Sequence, residues 1–203
     1  MKVKLRRMSG LGNDFLIYDA RTQNKLSEII KNISNLSSRK NKETKGCDQF
    51  IIMKSAENAD VFMEIYNADG SEVSACGNAT RCIGFLISEE ISQKIVQIQT
   101  KADNLISENL GNNLVSVNMG KPIFEWNKIP LSENFDVFNI PISVEGFEVP
   151  SAVSMGNPHL VFFTNVINID NFEVKKFGEP LESHNFFPQK TNVEFAKIID
   201  RKN

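Results

Sequence analysis

The chain has 203 residues, of which 41% are hydrophobic and 24% are charged, and its formal net charge is −2. This composition is ordinary for a globular protein with one large core or two small ones, and it does not favour nucleic acid or a membrane surface as a partner. No apolar run approaches the ~18 residues of a transmembrane helix, and the basic start of the chain lacks the apolar core of a signal peptide, so we expect a cytoplasmic protein.

Up to residue 119, short apolar runs alternate with helical patterns. Six runs have the character of strands: 3–5, 14–18, 49–53, 61–66, 95–100 and 114–119. Apolar residues spaced by three and four predict a helix over 26–35, which leads into an exposed loop over 37–45. A second helix is predicted from Cys76 to about residue 91, and most of its circumference should be buried because Phe85 is apolar too.

Two tight turns are predicted between strands in this part of the chain. Residues 9–13 are glycine-rich and lie between the first two strands, and Gly111-Asn112-Asn113 is typical of a hairpin turn before the last one. The strand pattern then breaks over residues 120–130, which contain Gly120, Pro122 and Pro130. We therefore expect two domains, residues 1–119 and 120–203.

The second half restarts with strand patterns. Six segments are predicted as strands: 138–140, 143–144, 147–149, 151–154, 160–163 and 193–199. A short helix is predicted around residues 174–177. No pattern here matches the long helix that begins at Cys76, so the two halves should differ in this respect.

The most informative segment is residues 66–82, where an Asn-Ala-Asp-Gly turn leads to Cys76-Gly77-Asn78 at the start of the second helix. Backbone N–H groups at a helix N-terminus stabilise anions, both a thiolate and a bound carboxylate. We therefore expect the pKa of Cys76 to be lowered and a carboxylate pocket to lie beside it. A buried structural cysteine at a tight turn is the alternative interpretation.

The other two cysteines do not indicate a metal site or a disulfide framework. Cys47 and Cys82 bring the total to an odd number, and there is no C-x-x-C pair and no neighbouring histidine. We expect free thiols and no bound metal.

Polar clusters follow several of the predicted strands, and one contains a histidine: Gly156-Asn157-Pro158-His159. Taken singly, each cluster is explained as a turn. The residues alone leave two mechanisms open for Cys76. It could form a nucleophile–base pair with His159 for acyl transfer, or it could carry a proton to and from an acidic C–H while helix N–H groups hold a carboxylate.

Six motifs, in the same order and at about the same intervals, resemble those of the diaminopimelate epimerase family. They are Gly10-Leu11-Gly12-Asn13-Asp14-Phe15, Asp48-Gln49, Tyr66-Asn67-Ala68-Asp69-Gly70-Ser71, Ala75-Cys76-Gly77-Asn78-Ala79-Thr80-Arg81-Cys82, Gly156-Asn157-Pro158-His159 and Thr191-Asn192-Val193-Glu194-Phe195. The resemblance covers essentially residues 2–201. It implies an α/β (α+β) fold of two pseudo-symmetric halves, each a mixed β-sheet wrapped around a central helix, with the active site in the cleft.

The resemblance also implies a function. Members of the family are cofactor-independent isomerases that interconvert LL- and meso-diaminopimelate for lysine and peptidoglycan precursors, and they tend to form homodimers. Two cysteines on opposite faces of the α-carbon exchange its proton. Motif matching makes Cys76 one of them and assigns substrate contacts to seven residues: Asn13, Gln49, Asn67, Gly77, Asn78, Asn157 and Asn192. His159 matches a supporting position near the reacting cysteines.

One part of the family pattern lies beyond this sequence. The second family cysteine follows the Thr-Asn-Val-Glu-Phe strand in an Ala-Cys-Gly-Thr-Gly turn that opens a second central helix, and this sequence ends at Asn203. The second half is therefore expected to be incomplete. The alternative to an active epimerase is a truncated, non-catalytic remnant or an amino-acid-binding protein of the same fold.

Overall fold

The computed structural model describes residues 3–200, and its contacts divide the chain into two compact units. Unit 1 ends at Met119 and unit 2 begins at Gly120. The strands of unit 1 are β1 Leu5–Gly10, β2 Asn13–Asp19, β3 Gln49–Lys54, β4 Val61–Asn67, β5 Glu72–Val73, β6 Ile95–Gln99, β7 Asn104–Gly111 and β8 Leu114–Asn118; its helices are α1 Leu26–Ser37 and α2 Gly77–Ile91. Unit 2 contains β9 Ser151–Ser154, β10 Pro158–Phe163, α3 Val174–Glu182 and β11 Asn192–Ala196.

Unit 1 is a mixed sheet that curves around α2. The strand order is β1-β2-β3-β4-β6-β7-β8, with β5 paired to β4. Strands β2 and β3 are parallel, as are β4 and β6, and the other neighbours are antiparallel. Helix α2 contacts both edge strands, β1 and β8, which requires the sheet to curl around it. The expected arrangement of a sheet wrapped around the second helix is therefore confirmed in this unit.

The two central strands are buried on both faces. Alternate residues of a strand point to opposite sides of the sheet, so Ile51 and Met53 of β3 join the core around α2, while Phe50 and Ile52 join the core under α1. This explains why residues 49–53 are almost continuously apolar. Helix α1 begins at the predicted residue and runs two residues beyond the predicted end.

The prediction of a second helix that is buried over most of its circumference is confirmed by α2. None of residues 77–88 is exposed, although Glu89 and Glu90 at the C-terminal end are. The helix ends at Ile91, and the positive φ of 55° at the next residue, Ser92, places that residue in the left-handed region. Gly84 lies so close to β7 that a Cβ atom at this position would be 2.6 Å from the Cβ of Ser107. The depth of the helix in the sheet therefore depends on this glycine.

The predicted turns are partly corrected. Strand β1 continues through Ser9 and Gly10, so the first turn is only Leu11-Gly12, with φ of 47° and 88°. The second turn is confirmed: Asn112 and Asn113 have φ of 51° and 60°, as a type I′ hairpin requires.

Two strands of unit 1 have no counterpart in the sequence analysis. Strand β5 has only two residues, and β7 mixes polar and apolar residues too irregularly to predict. Its inward-facing Ser107 is 1% exposed and occupies a position where the alternating pattern would place a large apolar side chain. The close approach of Gly84 leaves no room for one.

Unit 2 has a smaller mixed sheet in the order β11-β10-β9, with β10 parallel to β11 and antiparallel to β9. Strands are confirmed at 151–154 and 160–163, and β11 starts one residue early and ends at Ala196, short of the predicted 199. Phenylalanine rings form the centre of the core beside the sheet: Phe147, Phe162, Phe172, Phe177 and Phe195. Within residues 120–200, the α-helix is α3, which contacts β11 and has no buried residue.

The prediction of strands at 138–140, 143–144 and 147–149 is wrong, because these residues lie in turns and irregular segments. The N–H of Ile142 donates to the carbonyl of Ile140, and the N–H of Phe147 donates to that of Val144. Pro141 has no N–H to donate to a strand pair, and Gly146 has a φ of 83°. Ile140 and Val144 are nevertheless buried, so the apolar pattern indicated core residues correctly and their backbone conformation wrongly.

Candidate active site

Cys76 is the residue that precedes α2, and its position is determined by the turn before the helix. Its backbone is extended, with φ of −156° and ψ of 107°, and its Sγ accepts a hydrogen bond of 3.5 Å from the N–H of Ala79. The thiol is partly buried, whereas Cys47 and Cys82 are only 1% and 4% exposed. Cys76 is therefore the least buried of the three thiols.

The expected lowering of the Cys76 pKa is wrong for the protein without substrate. Burial raises the pKa of this thiol, and this effect outweighs the hydrogen bonds from the N–H groups of Ala79 and Asn78 and the positive charge of Arg81, all of which lower it. Cys76 therefore rests as a neutral thiol at pH 7. Burial and the neighbouring Cys76 raise the pKa of Cys82 to about 11.

The raised pKa predicts how Cys76 reacts with an alkylating agent. Because the thiolate is the reactive form, the rate of modification by iodoacetamide should be low at pH 7 and should still be rising above pH ~8.5, the ordinary thiol pKa. Rates measured by mass spectrometry across this pH range check the expectation, and Cys76→Ser shows how much labelling the two buried thiols contribute. A plateau below pH 8 would mean that the pKa is lowered.

A first pair of predicted site residues meets at the N-terminus of α2. The side-chain amide of Asn78 donates a hydrogen bond of 2.8 Å to Oδ1 of Asn13, at the start of β2. Arg81, one turn further along the helix, donates to Oδ1 of Asn78. The structure thus links two of the predicted site residues, Asn13 and Asn78, and adds Arg81, whose charge lies near the Cys76 thiol.

A second pair lies on the neighbouring strands. Gln49 at the start of β3 is opposite Asn67 at the end of β4, and the Gln49 amide donates to Oδ1 of Asn67 at 3.3 Å. Asn67 donates in turn to the hydroxyl of Ser71 at 3.2 Å. Strands β2 and β3 start at the same end of the sheet at which β4 finishes. Asn13, Gln49 and Asn67 therefore lie together at that end of the strands.

An ionic cluster fixes the starts of β2 and β3. Arg39 donates hydrogen bonds to two carboxylates, at 2.6 Å to that of Asp14 and at 2.7 Å to that of Asp48, and Arg7 contacts the Asp14 carboxylate as well. The N–H of Asp14 donates to the Asp48 carboxylate at 2.9 Å, and the N–H of Asp48 donates back to that of Asp14 at 3.0 Å. These contacts hold the pKa of Asp14 well below its usual range, with the Arg39 hydrogen bond as the largest cause. Asn13 comes directly before Asp14, and Gln49 comes directly after Asp48.

The predicted site residues of unit 2 form their own cluster. His159 on β10 is opposite Asn192 on β11, and the Asn192 amide donates to the carbonyl of Pro158 at 3.1 Å. The imidazole of His159 lies between two oxygens: Nδ1 is 2.7 Å from Oε1 of Glu194, and Nε2 is 2.9 Å from Oδ1 of Asn157. Glu194 belongs to the Thr-Asn-Val-Glu-Phe motif but was not predicted as a site residue.

The described residues contain no group of three or more His, Cys, Asp and Glu side chains arranged to hold a metal ion. Likewise, no helix within residues 3–200 has the length and apolar character needed to cross a bilayer. Cys47 and Cys82 are packed in separate parts of the unit 1 core, and both are almost fully buried.

Comparison with known proteins gives consistent results. A family model described as "Diaminopimelate epimerase" matches residues 6–125. The diaminopimelate epimerase of Wolbachia sp. subsp. Brugia malayi (strain TRS) is 42% identical over 194 residues, which cover 95% of this chain and 71% of that protein. The diaminopimelate epimerase of Pelagibacter ubique (strain HTCC1062) is 38% identical over 209 residues, with coverages of 99% and 73%.

Solved structures confirm the fold class. A phenazine biosynthesis protein of the PhzF family from Bacillus anthracis aligns with a TM-score of 0.62 at 18% identity, covering 100% of this chain and 70% of that one. A probable proline racemase from Agrobacterium radiobacter K84 aligns with a TM-score of 0.60 at 13% identity, with coverages of 100% and 68%. At these identities the likeness concerns the fold alone.

Proposed function

Since this chain belongs to the diaminopimelate epimerase family, we propose that it is an isomerase that inverts the α-carbon of diaminopimelate, in the supply of lysine and peptidoglycan precursors. The observation that carries the proposal is the Cys76 thiol at the N-terminus of α2, together with the amide of Asn78 on the helix and those of Asn13, Gln49 and Asn67 at adjoining strand ends. The cytoplasmic location and the homodimer expected from the sequence belong to the same proposal.

Cys76 is proposed to exchange the α-proton on one face of the substrate. As a thiol, its resting form at pH 7, it donates a proton to the α-carbanion; as a thiolate, it removes the α-proton. The N–H of Ala79 stabilises the thiolate form because it already donates to Sγ. Burial makes the thiol a weaker acid and its thiolate a stronger base, and a strong base is what a weakly acidic C–H requires.

The amide side chains suit a substrate that carries two ammonium and two carboxylate groups. An amide offers both donors and acceptors without adding net charge, so Asn13, Gln49 and Asn67 can bind either kind of group. The α-carboxylate is proposed to accept hydrogen bonds from the backbone at Gly77 and Asn78, at the positive end of the helix dipole. Asn157, Asn192 and His159 are proposed to contribute from unit 2.

Inversion requires a second acid–base group on the opposite face of the α-carbon. Cys47 and Cys82 do not provide it, because both are buried in the core of unit 1. We propose the two-base mechanism of the family, without a cofactor and with Cys76 as one base; the cysteine that serves as the other base in the family follows the Thr-Asn-Val-Glu-Phe strand and is not among the 203 residues of this sequence.

The proposal is tested by proton NMR of LL- and meso-diaminopimelate incubated with the protein in D₂O. Loss of the α-proton signal with interconversion of the stereoisomers supports the two-base mechanism. Loss of the signal with retention of configuration supports Cys76 as a base and contradicts the second one. If the Wolbachia relative exchanges the proton under the same conditions and this protein does not, the enzymatic proposal is wrong. Saturable binding of diaminopimelate in the inactive protein would then favour an amino-acid-binding protein.

A further inference from the structure

The imidazole of His159 has a partner at each ring nitrogen, and the two partners differ in chemistry. Nδ1 faces Oε1 of the Glu194 carboxylate at 2.7 Å, and Nε2 faces Oδ1 of the Asn157 amide at 2.9 Å. Glu194 reaches the ring because it follows Asn192 by two residues on β11, so both side chains are on the same face of the strand, and Asn192 is opposite His159. The side chain of His159 is about one-quarter exposed.

The carboxylate determines which nitrogen carries the hydrogen. An ionised carboxylate only accepts hydrogen bonds, so Nδ1 of His159 must be the donor in this contact. Oε2 of Glu194 is buried and has no hydrogen-bond partner among residues 3–200, which leaves the bond to His159 as the contact that compensates this carboxylate. In the neutral ring, Nε2 is therefore the nitrogen with a free lone pair.

The amide of Asn157 can serve both protonation states of Nε2. When Nε2 carries a proton, it donates to Oδ1 of Asn157; when Nε2 is deprotonated, rotation of the amide by 180° lets its NH₂ group donate to the lone pair. The heavy atoms of the ring keep their positions in both states. A group held in this way can gain and lose a proton at one fixed point in space.

We propose that Glu194 is a positioning residue, which holds His159 in the Nδ1–H tautomer so that Nε2 is the proton-exchanging atom, and that the Asn157 amide adapts to both states of Nε2. The catalytic role of Glu194, His159 and Asn157 rests on the proposed function. The tautomer of His159 is independent of that function. Glu194 thus acts through His159.

The second histidine of the chain provides an internal reference. Nδ1 of His184 accepts a hydrogen bond of 3.3 Å from the backbone N–H of Phe186, so the hydrogen of the neutral ring is on Nε2. The chain contains two histidines, and the structure gives them opposite tautomers. Both ring signals can be assigned by comparison with His159→Gln and His184→Gln.

The test is long-range ¹H–¹⁵N NMR of the ring nitrogens, about two pH units above the ordinary histidine pKa of ~6.5. In the wild type, His159 should show a protonated Nδ1 and an unprotonated Nε2, and His184 should show the reverse. In Glu194→Gln, His159 should shift towards the Nε2–H tautomer, because a glutamine amide can donate to Nδ1. Glu179→Gln, on the exposed face of α3, is the matched control and should leave both rings unchanged. An Nε2–H tautomer in the wild type, or an unchanged tautomer in Glu194→Gln, overturns the proposal.

The catalytic part of the proposal has a separate readout. Glu194→Gln should lower kcat for epimerisation about tenfold to a hundredfold with KM unchanged, a share of the ~10²–10⁴ that acid–base groups contribute. Glu194→Asp should restore the Nδ1–H tautomer and part of kcat. A rise in KM alone would instead assign Glu194 to substrate binding. Because the tautomer is measured without substrate, it remains decisive if the protein shows no epimerase activity.

Discussion

Cys76→Ala should lower the rate of α-proton exchange in diaminopimelate by about 10²- to 10⁴-fold, which is the contribution that positioned acid–base groups make. Alanine leaves no group that can carry a proton at the N-terminus of α2. The fold should persist, because the substitution removes one weak capping contact, the bond of 3.5 Å from the N–H of Ala79. Losing an N-cap side chain costs about 0.5–2 kcal/mol. NMR in D₂O measures the rate, and thermal unfolding monitored by circular dichroism measures the stability.

Cys76→Ser separates the chemical role of the residue from its structural role. Serine is among the preferred N-cap residues, so this variant should be at least as stable as the wild type, whereas its hydroxyl is too weak an acid to replace the thiol. Cys47→Ala is the matched control, because Cys47 lies in the core under α1, and this variant should keep the exchange rate. Exchange in Cys76→Ser at more than a tenth of the wild-type rate would mean that another residue is the base.

Gly84→Ala should destabilise the protein by about 1–3 kcal/mol, the usual cost of an extra methyl group in a packed core. The new Cβ would be 2.6 Å from the Cβ of Ser107, so either α2 or β7 must move. Helix propensity alone would favour alanine here by about 0.8–1 kcal/mol. The sign of the change in the free energy of unfolding therefore tells which effect dominates. This free energy is measured by chemical denaturation followed by circular dichroism.

Gly178→Ala is the matched control for this substitution. Gly178 lies within α3, and a Cβ atom at this position has no neighbour within 4 Å. The variant should therefore gain the helix propensity without the clash and be slightly more stable than the wild type. In the double variant Gly84→Ala/Ser107→Ala, part of the loss should be recovered because the hydroxyl is removed. If Gly84→Ala and Gly178→Ala have equal effects, the close approach of α2 to β7 is not a constraint.

The sequence was sufficient to predict α2 and most of the strands around it, because these elements bury one regular face. The pattern failed where apolar residues are buried without regular structure, as at Ile140 and Val144, where proline and glycine prevent strand pairing. It failed again at Ser107, where a strand pattern would have a large apolar side chain. The close approach of α2 at Gly84 leaves room only for a small side chain there. Both failures arise from tertiary contacts, which periodicity does not encode.

The candidate site divides in a similar way. Motif matching selected Asn13 and Asn78, and the structure links them by a hydrogen bond. The pKa of Cys76 was predicted in the wrong direction, because the helix N-terminus could be recognised from the sequence and the burial of the thiol could not. Glu194 was overlooked because its contact with His159 joins residues 35 positions apart. The alternation of Asn192 and Glu194 on one strand was the signal that could have indicated it.

The double burial of β3 restricts which changes of chain length the protein can accept. Phe50 and Ile52 face α1, whereas Ile51 and Met53 face α2. A single inserted or deleted residue inside the strand would turn every following side chain to the opposite face. The packing of both cores would therefore be disrupted at the same time. The polar turn over residues 55–60 has no such restriction. Length variation among relatives of this chain is therefore expected in that turn and not within the strand.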